Sequence, residues 1–122
     1  MLRDTIPIGL VALFLAAPVS AVKLWATSYN DHALTTLDFS NDELSVVSKS
    51  LDCGSEPTWM TLDKAKSLLY CLNEGWGGAA SLTSYKVNAD ATLETLDVLS
   101  VLKSPVASSL YGPDNSGLAV AH

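Results

Sequence analysis

The run Leu68-Leu69-Tyr70-Cys71-Leu72 is apolar enough for a buried strand, yet it ends on Asn73-Glu74-Gly75. A strand that finishes on a carboxylate delivers that group to whatever lies at its end. Glu74 is therefore one candidate catalytic group, and His122, which closes the similar run Ser116-Gly117-Leu118-Ala119-Val120-Ala121, is the other. A carboxylate and an imidazole in a narrow apolar mouth can act as general base and acid once burial brings their pKa values near the working pH. Tyr29, Asn73 and Trp76 are the candidates for holding a substrate beside them. Plainer readings stay open: Glu74 as a solvated loop carboxylate, His122 as a chain-end residue, Trp76 as a loop indole packed on a neighbour. Trp59 and Tyr70 read better as packing than as ligand platforms.

Several classes of chemistry are disfavoured. His32 and His122 are the only histidines, and Asn30-Asp31-His32 makes a better turn than a ligand set, so no metal site is expected. Gly75-Trp76-Gly77-Gly78 lacks the Lys-Ser/Thr of a phosphate-binding loop, and no cofactor is expected either. A net charge of −6 without a Lys/Arg cluster suits neither nucleic acid nor an anionic membrane surface.

Residues 1–21, MLRDTIPIGLVALFLAAPVSA, have the make-up of a signal peptide: Arg3 near the start, an apolar stretch from Ile6 to Ala17, and small residues at Val19-Ser20-Ala21. The apolar stretch falls short of the ~20 residues of a typical span. The expectation is a secreted or cell-wall protein with no stable membrane insertion after cleavage. Cys53 and Cys71 are a possible disulfide in that setting, although two thiols do not define a disulfide scaffold. Oligomeric state has no signature in the chain.

The part after the leader reads as all-β. Runs rich in Val, Leu, Thr, Tyr and Trp, separated by Asn, Asp, Gly, Ser and Pro, place strands near 22–29, 33–39, 43–50, 57–62, 67–73, 79–87, 93–101, 105–110 and 117–122. The chain also repeats itself. KLWATSY at Lys23 matches LLYCLNE at Leu68, ALTTLDFSNDELSVVSKSL matches SLTSYKVNADATLETLDVL, and EPTWMTLDKAKSLLY matches SPVASSLYGPDNSGLAV. A period of about 45–50 residues is that of a four-stranded propeller blade.

One such sheet cannot cover both of its faces, whereas sheets stacked round an axis cover one another. In this register the chain enters at the second strand of a first blade, completes a second, and reaches the second strand of a third. The expected fold over residues 22–122 is thus a partial β-propeller of about two blades plus the start of a third. It would leave sheet edges and one face open, both aggregation liabilities. A small self-contained β-sandwich is the alternative architecture.

Pro57-Thr58-Trp59-Met60-Thr61-Leu62-Asp63, followed by Leu69-Tyr70 and Asn73-Glu74, resembles the blade signature of the seven-bladed lactonase family, whose members are similar to 6-phosphogluconolactonase and the fungal carboxy-cis,cis-muconate cyclase. VKLWATSYNDHALTTLDF resembles that family's opening strands, so the chain looks like the N-terminal portion of such a ring. The resemblance implies a top-face pocket in which Arg, His and Glu handle an anionic lactone or its open acid. In related cyclases the arginine lies in a Pro-Arg-Trp run; here that run is Pro57-Thr58-Trp59, while Glu74 keeps the carboxylate.

The function expected from this resemblance is that of a secreted lactonase-type propeller, acting on a small lactone or organic acid by hydrolysis or by muconate-type lactonisation, with no activity from residues 1–122 alone. The alternative is a non-catalytic secreted or cell-wall binding propeller. Within a blade, the loop after strand two and the loop from strand four to the next blade reach the same end. Asn73-Glu74 and the segment Asp52 to Glu56 should therefore share one mouth, with Tyr29 and His122 arriving from the neighbouring blades.

Overall fold

The computed structural model describes residues 20–122, together with Gly9 and Ala12. Most of the leader-like segment lies outside the described residues. Nine strands follow: β1 (Val22–Ser28), β2 (Ala33–Ser40), β3 (Glu43–Ser50), β4 (Pro57–Asp63), β5 (Leu68–Asn73), β6 (Ser81–Val87), β7 (Leu93–Ser100), β8 (Ala107–Tyr111) and β9 (Gly117–Ala121). All neighbouring strands pair antiparallel. They form three sheets in the orders β1-β2-β3, β4-β5-β6-β7 and β8-β9. The repeat read from the sequence is thus the repeat of the fold, and β1, β5 and β9 are equivalent second strands.

Local chemistry sets the hairpins. Asn41 and Asp42 both take positive φ, 51° and 61°, between the paired residues Ser40 and Glu43. That is a two-residue turn of the I′ kind, whose twist matches the flanking strands and which favours Asn and Asp. Between β6 and β7, Asp90 Oδ1 accepts the Thr92 backbone N–H at 3.0 Å and its hydroxyl at 2.6 Å. These bonds hold the Asp90 carboxyl below the usual carboxylate range.

The sheets dock face to face. Leu34 of the first sheet packs with Leu69, Tyr85 and the Cys53–Cys71 disulfide, all buried. Trp25 Nε1 and Thr36 Oγ1 both donate to Ala91 O, at 3.2 and 3.4 Å, so polar groups inside the junction are also matched. The second junction is more polar: Trp59 Nε1 and Thr61 Oγ1 reach Ser108 O at 3.1 and 3.0 Å. Leu34→Ala should cost roughly 2–5 kcal/mol, because its side chain has no room to be replaced by water. Thermal unfolding with near-ultraviolet detection of Tyr85 checks this.

Among the described residues nothing covers the far face of the first sheet. Register puts Val22, Phe39 and Leu44 in one cross-strand row and Leu24, Leu37 and Val46 in the next. All but Leu37 are exposed. This is the open face that stacked sheets would cover.

Candidate active site

Four loops meet at one end of the sheets, and backbone hydrogen bonds fix their approach. Glu74 N–H donates to Glu56 O at 3.0 Å, Ser104 N–H to Glu74 O at 3.0 Å, and Val101 N–H to Ala80 O at 3.2 Å. From the first sheet, His32 Nδ1 lies 2.6 Å from Ser55 O, a contact that needs the proton on Nδ1. The mouth expected from blade geometry is formed, with Asp52–Glu56 and Asn73-Glu74 side by side.

Glu74 itself is 8% exposed, at the end of β5. Its Oε2 accepts the hydroxyl of Tyr29, which comes from the loop after β1, so the bond crosses from one sheet to the next. That bond raises the Tyr29 phenol above its ordinary value; desolvation and the charges of Glu74 and Glu56 add to the rise, while the Thr58 hydroxyl opposes it. Thr58, standing where the resemblance expects arginine, therefore faces the same phenol without supplying charge. Trp76 is 71% exposed and meets Tyr29 edge to face, with ring centroids 6.5 Å apart at 73°.

Asn73 has a different part from the one its sequence position suggests. Its Oδ1 accepts Glu56 N–H at 3.0 Å, and its Nδ2 donates to Ala79 O at 3.1 Å and Ser81 Oγ at 3.3 Å. With both amide hydrogens taken by protein, it ties the two mouth loops together. The loop before β4 is fitted to it closely: Gly54, at φ 113°, would set a Cβ 2.4 Å from Asn73 Cγ. Gly54→Ala should destabilise by about 1–3 kcal/mol, from the left-handed backbone and the clash together. A melting curve reads it directly.

His122 is at the end of β9, but it does not join Glu74. Its Nδ1 lies 3.2 Å from Lys103 O, on the exposed side of the β7–β8 segment. The structure therefore unites Tyr29, Glu74 and Trp76, sets His122 on Lys103 O, and gives Asn73 a bracing part. It also adds Glu56, whose Oε1 accepts Gly77 N–H at 3.3 Å and whose Oε2 is enclosed without a donor. Glu56 sits in an irregular loop, where neither periodicity nor the repeat singles it out.

Among the described residues no group of three or more His, Cys, Asp or Glu side chains could hold a metal ion. A hollow of roughly 250 Å³ lies over β8 and β9, lined by Ala107, Ser108, Ser109, Ala119, Val120 and Ala121. It holds none of the mouth residues and few polar groups.

Three antiparallel sheets stacked by their faces, with the loops of successive sheets converging at one end, define part of a β-propeller. The chain matches the family description "Lactonase, 7-bladed beta-propeller" over residues 23–122, and it belongs to that lactonase family. No curated protein and no solved structure matches it.

Proposed function

We propose that this protein is a secreted propeller acting on a lactone or its open acid, with Glu74 as the working carboxylate. The observation that carries the reading is a nine-tenths buried carboxylate, placed at a strand end and held by a tyrosine from the adjacent sheet, in a chain of the lactonase family.

In hydrolysis, Glu74 takes a proton from water as the water oxygen bonds to the lactone carbonyl carbon. The ring C–O bond then breaks, and the proton passes to the departing alkoxide, giving the hydroxy acid. Tyr29 orients Glu74 and, with its raised phenol, stays protonated through neutral pH. Lactonisation runs the same bond changes in reverse; in the muconate type a proton is instead delivered to carbon while the carboxylate oxygen closes the ring.

Secretion is supported by the leader-like residues 1–21 and by the disulfide, which persists in oxidising compartments. A binding protein without catalysis is the second reading, favoured by the contact of His122 with Lys103 O and not with the Glu74 carboxylate. A pH-stat assay of the protein purified from its native source, over a panel of neutral, phosphorylated and carboxylated lactones, decides between them. Proton release above the buffer rate supports the enzyme, and saturable binding with no turnover supports the binder.

A further inference from the structure

Among the described residues the mouth carries two carboxylates, Glu56 and Glu74, with no Lys ammonium within 4.0 Å of either. Four Lys–carboxylate pairs lie within 4.0 Å among the described residues, and neither Glu56 nor Glu74 belongs to one. A pair of acids at a rim is by itself unremarkable, since water solvates it. This pair is different because Glu56 Oε2 is enclosed with no donor among the described residues, and Glu74, nine-tenths buried, has its Oε2 held by Tyr29. A positive group beside an enclosed carboxylate oxygen without a donor offsets the cost of its burial.

Beside it stand two aromatic walls. Tyr29 and Trp76 meet nearly at right angles, and each is linked to one of the acids: Tyr29 through its hydroxyl to Glu74, and the Trp76 loop through Gly77 N–H to Glu56. An exposed indole such as that of Trp76, next to carboxylates, attracts a cation of low hydration, because the ring quadrupole and the carboxylate charge act in the same direction. Phosphate or carboxylate at this place would be repelled by both acids.

We propose that the corner formed by Tyr29, Trp76, Glu74 and Glu56 binds an alkylammonium group. It shares its location with the lactone reading but rests on charge and ring geometry, not on turnover. For a lactone-type ligand, the substituent that points into this sector is an amine, and anionic groups lie elsewhere.

The test is isothermal titration calorimetry of the protein with choline chloride at constant ionic strength, with 3,3-dimethyl-1-butanol as the uncharged isostere and inorganic phosphate as the anion. Saturable choline binding is expected, weakened about tenfold or more by Glu74→Gln and by Trp76→Ala. Near-ultraviolet circular dichroism confirms that each variant is folded, and Trp76→Phe, which keeps a ring, should recover most of the affinity. Equal binding of the isostere, no saturable binding of choline, or unchanged affinity in both Glu74→Gln and Trp76→Ala would overturn the proposal, as would saturable phosphate binding lost with Trp76. Lactone turnover without choline binding sinks this inference alone. Choline binding without turnover leaves it standing and counts against the lactone reading.

Discussion

Glu74→Gln is expected to lower lactone turnover about a hundredfold to ten-thousandfold, the usual worth of a positioned general base. The substitution keeps the shape of the side chain, and Gln can still accept the Tyr29 hydroxyl. The backbone links from Glu74 to Glu56 and from Ser104 to Glu74 do not involve the side chain. What is lost is the negative charge and its ability to take a proton from water. Tyr29→Phe should be milder, because it removes the brace and leaves the base. Steady-state kinetics on the variant and on the unaltered protein make the comparison; turnover within a factor of two would return Glu74 to the class of loop carboxylates.

The second large effect belongs to the disulfide. Cys53 and Cys71 are fully buried, their Cα atoms are 5.8 Å apart, and they close a loop of sequence separation 18. Removing that closure releases about 3 kcal/mol of chain entropy to the unfolded state, and the doubly substituted Cys53→Ala/Cys71→Ala protein should melt roughly 10–15 °C lower. The loss is local to the mouth as well as global, since the bridged loop carries Gly54 and Glu56 against Asn73. Hydrogen exchange at residues 51–56 should rise further than exchange in β8 and β9. Melting within a degree or two of the parent would show that the cross-link adds nothing to the packed sheets.

Much of the fold was legible because its signals are periodic. Strand positions follow from alternation and from turn residues such as Asn41-Asp42, and the 3-4-2 division of strands follows from the internal repeat. The repeat also brings Tyr29 and Glu74 to one end, since both end a second strand. At Asn73 and His122 it places the backbone but not the side-chain contacts, for a single reason. Equivalent positions share backbone placement, but side chains are committed by neighbours that differ from blade to blade. Asn73 meets Glu56 N–H, Ala79 O and Ser81 Oγ, whereas His122 meets Lys103 O.

Glu56 and the short helix at Pro113–Asn115 escape a pattern reading because both lie in irregular backbone. In the helix, Asp114 and Asn115 take φ of 53° and 52°, values that periodicity does not encode. Tyr85, wholly buried, was likewise hidden inside SLTSYKV, where alternation does not say which face will meet the neighbouring sheet.

One contact made across two sheets, between the Tyr29 hydroxyl and Glu74, holds the candidate site together. Ultraviolet titration of the phenols in the unaltered protein and in Glu74→Gln measures it most directly. Hydrogen bonding and like charge raise Tyr29, and burial raises Tyr85. Removing the Glu74 charge should bring one phenol down toward its ordinary value near 10 and leave the other raised. Superimposable titration curves for the two proteins would mean that Tyr29 and Glu74 do not meet, and the mouth built on them would not exist.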